Sequence, residues 1–400
     1  MPKILITGNG FDLHFGLPTA YKDFIIILSS LESISSYTFE NIYLNSSNYT
    51  KIVSSYNKDI SFNPESIENL EDLLKQNLWF RFFRSELEIE SWIDFETKIE
   101  YVLKLIFSSV KYFQEKIFDL GSLKIGNRVS KSTLFNNNIE IIEVLNFFKI
   151  IEWNVESGEL MLKEEFFIQK YGYNTGVNTE KIVKHLHTEF LGFREIFNLY
   201  FTIFVAPLYE NLIDKSLDDR FKTINYHFTF NYTPTFNKMC GTKVSTNYLH
   251  GQIGDGTNLV LGINDIPDNV INKIHYIPFT KYFQKLNGNT DFHFLNKIEK
   301  NTFSGYQFFF YGHSLDISDQ EYINEVFDFI DEIKTIEIRK IIIVIHNIES
   351  KAKLLVNLIN IRGKDDVVKK MKENILRFVL LDSEGLNYEL NVNINRSITF

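Results

Sequence analysis

The sequence predicts an α/β fold, a Rossmann-like and mostly parallel sheet that is interrupted by a large helical insertion. Three observations carry this prediction. The apolar run 3–7 leads directly into Gly8-Asn9-Gly10, and strand, glycine turn and helix open many α/β folds. Apolar runs return after residue 220 and alternate there with helical patterns. Between these two parts, residues 33–217 have mainly helical periodicity.

The first third of the chain changes from an α/β pattern to a helical one. A helix is predicted from Thr19, as its N-cap, to about Leu31. Residues 32–64 are rich in Ser and Asn and are predicted to be a loop-rich segment. Apolar residues then recur three and four apart within 67–120, which predicts a long amphipathic helix.

The middle of the chain is predicted to stay helical, with a polar hairpin near Gly158. The apolar stretch 196–208 is too short to span a bilayer core of about 30 Å. We expect it to be a buried helix that ends near Pro207, followed by a helix over 208–217.

Strand signals return in the last part of the chain. Strands are predicted at 226–231, 248–249, 259–261, 306–311, 340–346 and 377–381. Helices are predicted at 319–333 and 348–361, and the alternation at 388–400 indicates an edge strand or hairpin. Strands that alternate with helices in this way favour a parallel sheet with helices on both faces.

Composition limits the classes of protein that the chain can belong to. The sequence is 44% hydrophobic, which supplies the core of a folded protein, and its net charge of −9 disfavours a surface built throughout for nucleic acid. A local basic groove stays open as an alternative. The single Cys240 forbids an intramolecular disulfide and a cysteine-rich zinc site. With no signal pattern at the N-terminus, we expect a cytoplasmic protein that does not enter the membrane.

Four segments are candidates for a ligand site, because each places glycine or polar residues just beyond an apolar strand, where open α/β sheets bind ligands. The first is the turn at Gly8-Asn9-Gly10, which could also be a plain strand-to-helix turn. The others follow later strands at 228–233, at 248–251 together with 259–265, and at 308–319.

The first three of these segments resemble the sirtuin-like (Sir2-type) NAD-binding superfamily. The sirtuin phosphate loop G-A-G-I-S-x-x-S-G-I-P is similar to residues 8–18, with all three glycines and the proline in register. The sirtuin segment T-Q-N-I-D is similar to residues 229–233, and its catalytic His-Gly pair is similar to His250-Gly251.

The chain resembles the AbiH family of bacterial abortive-infection, phage-defence proteins more closely and over more of its length. The motifs that carry this resemblance are N-G-F-D and G-L-P-T near the N-terminus, Tyr21-Lys22-Asp23-Phe24, Trp92-x-Asp94-x-Glu96 in the insertion, F-N-Y-T, L-H-G, L-G-I-N, and G-H-S-L near residue 313.

These resemblances imply a Sir2-like domain made of residues 1–32 and 218–400, with 33–217 as the insertion, and NAD as its ligand. Gly8, Asn9 and Gly10 would hold the pyrophosphate, Asn231 would orient a ribose or a water, and His250 would act as general base. The implied ligand-lining residues also include Phe11, Thr19, Gly312, His313 and Ser314.

Three departures from the sirtuin pattern bear on the chemistry. Thr233 stands where sirtuins carry the acid that contacts nicotinamide, Asn9 stands where they carry Ala, and Asp12 stands where they carry Ser. A carboxylate beside a phosphate repels it unless it points away or pairs with a cation, which indicates a different nucleotide geometry or a catalytic use of Asp12. With one cysteine the chain lacks a zinc ribbon, so deacylation is not expected.

The sequence therefore predicts an anti-phage effector that binds NAD or a related nucleotide and hydrolyses it when triggered. One alternative is a nuclease or RNA-targeting effector that uses Asp12, His250, Glu96 and a metal. The hypothesis of NAD hydrolysis predicts no metal ligands. The other alternative is a non-catalytic nucleotide sensor that acts through a partner. The expected partners are the nucleotide, a phage-derived trigger or a partner defence protein, and a second copy in a homo-oligomer.

Overall fold

The protein is described here from a computed structural model. The structure describes residues 1–391 apart from 87–88, 90, 120–128, 131–137, 155, 157–158, 214–218, 255–258, 269, 271, 289–293, 302–303 and 334–338. Within this part, the chain divides into two compact units. The first unit comprises residues 1–63, 200–259 and 285–400, and the second comprises 64–199 and 260–284. The predicted division at residues 33 and 217 stays a prediction.

Among the described residues, the strands are short and fall into three sheets. In chain order they are β1 (Lys3–Thr7), β2 (Val129–Ser130), β3 (Ile151–Asn154), β4 (Glu159–Leu162), β5 (Phe167–Lys170), β6 (Tyr173–Val177), β7 (Tyr226–Thr229), β8 (Thr246–Tyr248), β9 (Tyr306–Tyr311), β10 (Arg339–Ile345) and β11 (Leu376–Leu380).

The helices make up most of the remaining structure. In chain order they are α1 (Asn9–His14), α2 (Tyr21–Ser30), α3 (Phe39–Tyr43), α4 (Tyr49–Ser55), α5 (Pro64–Gln76), α6 (Leu78–Ser85), α7 (Trp92–Asp119), α8 (Ile139–Phe147), α9 (Thr179–Tyr200), α10 (Ala206–Glu210), α11 (Thr235–Cys240), α12 (Lys281–Asn287), α13 (Gln320–Glu332), α14 (Ile348–Arg362), α15 (Lys364–Lys372) and α16 (Glu384–Asn391).

The first unit is built on a six-stranded parallel sheet in the order β8-β7-β1-β9-β10-β11. Numbered by their sequence within this sheet, the strands run 3-2-1-4-5-6, which is the order of dinucleotide-binding Rossmann domains. The predicted Rossmann-like α/β fold is therefore confirmed. Strand order reverses between β1 and β9, and this is where such sheets bind their ligands, at the carboxyl ends of the strands.

The central strand β1 is buried along its whole length, and its side chains alternate between two cores. Ile4 and Ile6 pack in one core with α13, α14 and α15. Leu5 packs in the other core with α1, α11 and α16. This alternation follows from the two-residue period of a strand, and helices therefore cover both faces of the sheet.

The second unit is mainly helical and packed through aromatic side chains. Phe83 contacts Phe95 of α7 with ring centroids 4.4 Å apart, and Phe95 stacks on Phe193 of α9 at 5.3 Å. Strands β3 and β4 pair antiparallel, which confirms the hairpin predicted near residue 158.

Three predicted elements are wrong in type. Segment 32–64 contains helices α3 and α4, because Phe39, Ile42 and Ile52 have buried partners that a local pattern does not reveal. Segment 259–261 is apolar and buried but is not a strand. Helix α16 occupies 384–391 where an edge strand was predicted, and residues 392–400 lie outside the described residues.

Two predicted helix ends are also wrong. Ala20, not Thr19, is the N-cap of α2, because the Thr19 hydroxyl bonds elsewhere. The helix that begins at Thr179 continues through a π-helical turn, Phe201–Val205, and past Pro207. A π turn widens the backbone bonding pattern, so the helix tolerates a residue without an N–H. The rest of the predicted 208–217 helix falls partly outside the described residues.

Among the described residues, one helical stretch, Thr179–Glu210, is long and apolar enough by composition to cross a membrane. Half of its most apolar window is buried inside the protein. Buried core helices of globular proteins have the same composition.

Candidate functional site

The loops that follow β1, β7, β8 and β9 meet at the carboxyl end of the parallel sheet. They carry Gly8–Asp12, Phe230–Thr233, His250 and Gly312–Ser314 respectively. The switch between β1 and β9 lies within this group, so four segments that are far apart in sequence meet at one end of the sheet in the first unit.

The glycines of the first and last of these loops allow their backbones to touch. A Cβ on Gly8 would lie 2.7 Å from the Cα of His313, and a Cβ on Gly10 would lie 2.8 Å from the Cα of Gly312. Gly312 has a φ of +67°, and its Cβ would lie 2.1 Å from the backbone nitrogen of Phe11. The Gly10 N–H donates to the Gly312 carbonyl at 2.8 Å. Close backbone packing is thus one reason for glycine at these positions.

The other residues predicted on the first turn have distinct surroundings. The Thr19 hydroxyl donates to the amide oxygen of Asn9 at 2.6 Å, which fixes the Asn9 side chain. Phe11 is buried in the core, with its ring 5.0 Å from that of Tyr311. Ser314 receives a hydrogen bond from the Asn357 amide through its backbone carbonyl.

Asp12 is buried in a polar cluster that joins α1 to the loop after β7. One carboxylate oxygen accepts from the Asn231 amide at 2.9 Å, and the other accepts from the Thr233 hydroxyl. Thr235 donates to Thr233 at 3.1 Å, and the hydroxyl groups of Thr235 and Tyr209 lie 2.8 Å apart. The carboxylate is therefore held by donors of the protein itself.

Burial raises the pKa of the Asp12 carboxyl to about 6, because a charge removed from water is disfavoured. The hydrogen bonds from Thr233, Thr235 and Asn231 oppose this effect, since they stabilise the ionised form. Asp12 is consequently mostly ionised at neutral pH and becomes protonated in mildly acidic solution.

Asn231 is oriented by both of its amide-nitrogen bonds. Its Nδ2 donates to Asp12 at 2.9 Å and to the Gly8 carbonyl at 3.0 Å, and its backbone N–H donates to the Thr229 hydroxyl. With Nδ2 held in this way, the amide oxygen is the group left to accept a hydrogen bond from a bound hydroxyl or water.

His250 and His313 come from strands that are not neighbours, yet both face Asp319. The Asp319 carboxylate lies 3.7 Å from Nε2 of His250 and 3.4 Å from Nε2 of His313. The Phe230 ring packs against both imidazoles, at centroid distances of 5.3 and 4.3 Å. All three polar side chains are at least four-fifths buried.

The loop after β9 fixes the tautomer of His313. The Leu315 N–H donates to His313 Nδ1 at 2.9 Å, so Nδ1 is the acceptor and the proton of the neutral ring is on Nε2, facing Asp319. Leu315 has a φ of +51°, which is strained for a residue with a side chain. The strained backbone thus serves the orientation of an imidazole.

Two of the other family-like motifs lie in the second unit. Glu96 of the Trp92-x-Asp94-x-Glu96 motif pairs with the buried Lys281 at 2.6 Å. The backbone N–H and carbonyl of Leu261, in the L-G-I-N motif, both bond to the Gln284 side chain. No group of three or more His, Cys, Asp or Glu side chains in the described part of the chain is arranged to hold a metal ion.

Two contributors to the site were not identified from sequence. Asp316 and Asp319 both suit helix N-caps by residue type. Asp316 caps the short turn Ile317–Asp319 by accepting from the Ser318 N–H at 3.0 Å, and Asp319 holds the N-cap position of α13 without a capping bond from its side chain. Phe230 has the signature of an ordinary strand residue. One sequence signal could have identified Asp319. It lies six residues after His313, in a segment that was already a candidate for the ligand site.

A parallel sheet with reversed strand order, and polar loops gathered where the order reverses, defines a Rossmann-type α/β protein with a candidate ligand site at its switch point. Its family follows from comparison with known proteins. The chain belongs to the bacteriophage abortive infection AbiH family, whose model matches residues 4–343. The protein thus has a role in phage abortive infection. No curated protein and no solved structure matches the chain.

Proposed function

We propose that this protein acts in abortive infection by binding NAD or a related nucleotide at the switch point of its sheet and hydrolysing it when infection triggers the protein. The observation that carries the proposal is the convergence of Asn231 and His250 with the two glycine loops at one end of the sheet. Dinucleotides bind at this position in sheets of the same strand order.

The chemistry asks little more of the protein than these residues supply. Cleavage of a nicotinamide–ribose bond needs a group that orients the sugar or the attacking water, a base near neutrality, and a site that excludes water. In the proposal the Asn231 amide oxygen orients, and the His250 imidazole accepts the proton. Asp12 positions Asn231 through its hydrogen bond, since its own carboxylate is buried.

The contact between Asp12 and Thr233 supports the comparison with Sir2-like proteins. These two positions carry Ser and Asp in the sirtuin pattern, and here they carry Asp and Thr. Because the two side chains are hydrogen-bonded, the exchange keeps one carboxylate and one hydroxyl in the pair. The two departures are then one coupled change.

The phosphate end of the ligand is proposed to use groups other than the Gly10 N–H, which donates to Gly312. The Asn9 amide oxygen accepts from Thr19, which leaves its Nδ2 hydrogens to donate to an anion. His313 and Ser314, on the facing loop, complete the proposed lining.

The test is NAD consumption by the purified full-length chain, alone and with lysate from phage-infected cells as the source of a phage-derived trigger or partner defence protein. We expect His250→Ala to lower the rate about 100-fold or more through loss of the general base, and Asn231→Ala to lower it by a similar factor through loss of orientation. His275→Ala, in the second unit, is the matched control and should retain the wild-type rate.

The outcomes separate the candidate functions. Turnover that survives both substitutions contradicts the proposed site. Nucleotide binding without turnover under every activating condition identifies a sensor that acts through a partner. No specific observation favours the nuclease, because Asp12 is held by Asn231 and Thr233 and Glu96 pairs with Lys281.

A further inference from the structure

Asp319 lies between two histidines that come from separate parts of the sheet. His250 follows β8 and His313 follows β9, and β7 and β1 lie between these strands in the sheet. Asp319 stands just before α13 and places one carboxylate oxygen toward each ring. A single carboxylate therefore links two imidazoles from opposite sides of the switch point.

An aromatic ring also supports both histidines. Phe230, at the end of β7, packs edge-on to His250 and tilted against His313. Tyr322, on α13, packs edge-on to the same Phe230 ring at 5.2 Å. Both imidazoles and the helix that follows Asp319 thus share one aromatic support, which limits rotation of the rings.

The two contacts of Asp319 are unequal in kind. His313 offers Asp319 a proton on Nε2, because its Nδ1 accepts from the Leu315 N–H. The Nε2–H of His313 thus faces the nearer Asp319 oxygen across 3.4 Å, an approach that favours one orientation of the carboxylate. The Asp319 oxygen nearest His250 is 3.7 Å from Nε2, a distance at which it attracts a charged imidazolium more than it binds a neutral ring.

We propose that Asp319 is a positioning residue for His250, held in place by His313, and that its charge favours the imidazolium which His250 becomes on accepting a proton. The inference rests on the proposed function in one respect, the role of His250 as base. The link between the three side chains itself does not depend on which reaction the site performs.

Other charged and titratable groups lie near His250 and His313. Tyr232 approaches His250 from the loop after β7, with ring centroids 6.4 Å apart. Tyr322 faces the cluster from α13 and accepts a hydrogen bond from the Lys285 ammonium. Asp12 is buried beneath the loop after β7. Of these groups, Asp319 is the carboxylate that faces the rings of both histidines.

The experiment is a pH titration of the full-length protein labelled with ¹⁵N in its histidine rings, followed by NMR. In the wild type, His313 should show the Nε2–H tautomer. In Asp319→Asn, the titration midpoint of His250 should fall by about 1 to 2 pH units, since the nearby opposite charge is lost. Asp319→Glu should restore much of the midpoint.

Asp316→Asn is the matched control. It removes the same charge from the same loop, but Asp316 bonds to the Ser318 N–H and not to a ring. Its His250 midpoint should stay within about 0.3 pH units of the wild type. An unchanged midpoint in Asp319→Asn, or an Nδ1–H tautomer of His313 in the wild type, overturns the inference.

The tautomer of His313 is measured on the wild-type protein, so this part of the test still applies if a variant does not fold. The NMR readout also separates this inference from the proposed function. If the protein never consumes NAD but the midpoint moves as expected, the proposed function fails and the positioning role stands. If NAD is consumed and the midpoint does not move, the positioning role fails alone.

Discussion

Replacing Asp12 with Asn should make the first unit less sensitive to pH. The folded carboxyl has a pKa of about 6 against an ordinary value of 3.8, because it is fully buried. Its ionised form therefore disfavours the fold, and stability rises as the pH falls through 6 toward 4. The full difference corresponds to about 3 kcal/mol, of which roughly half is gained between pH 7.5 and 5.

The assay must report on the first unit. All three tryptophans lie in the second unit, so their fluorescence does not serve. Hydrogen exchange of the β1 amides, measured by mass spectrometry and corrected with an unstructured reference peptide, reports the opening of the sheet. Between pH 7.5 and 5, wild-type protection should increase about tenfold relative to Asp12→Asn.

Two further variants define the cause. Thr233→Val removes a hydrogen bond that lowers the Asp12 pKa. In this variant, the rise in stability on acidification should therefore begin at a higher pH than in the wild type. Asp365→Asn, on the exposed start of α15, removes a charge outside the cluster and should behave as wild type. Equal pH dependence in the wild type and Asp12→Asn would refute the reasoning.

Two other substitutions each test one contact, Gly312→Ala in the first unit and Lys281→Met in the second. Gly312→Ala should destabilise the first unit by about 3 kcal/mol, from the positive φ and the overlap with Phe11, in urea unfolding followed by circular dichroism. Gly363→Ala also has a positive φ but nothing within 4 Å of its Cβ, so it should cost less than Gly312→Ala, and equal losses would contradict the overlap argument. Lys281→Met should lower the urea midpoint of tryptophan fluorescence, at a cost of about 1 to 3 kcal/mol, because Glu96 keeps its charge. Adding Glu96→Gln should recover part of the loss, and no recovery would show that the ion pair is not the cause.

The parallel sheet could be predicted because its strands are apolar runs bounded by glycine and polar residues, as at 306–311. Segment 259–261 shows where this signal stops. It is equally apolar, but the Gln284 side chain bonds to both backbone groups of Leu261 in place of a neighbouring strand. A side chain more than twenty positions away decides the outcome, and no local pattern contains it.

The candidate site was predictable to the level of which loops meet, since the carboxyl ends of parallel strands share one edge. The contacts within it were not. For Asp12 the sequence indicated a different nucleotide geometry or a catalytic use, and its hydrogen bonds to Asn231 and Thr233 join positions more than 200 residues apart. Asp319 suits a helix N-cap by residue type and does hold the N-cap position of α13, but its side chain faces two histidines and makes no capping bond. Which partner a carboxylate chooses depends on the distances between loops.

The central place of β1 has a consequence for how the protein is made. Ile4 pairs with Tyr226 on one side and with Phe308 on the other, so the strand leaves the ribosome roughly 300 residues before its second neighbour exists. At ordinary rates of synthesis the wait is about 15 to 60 s. A nascent chain that ends before β9 cannot assemble the switch point, so the candidate site forms only after more than three quarters of the chain has been made.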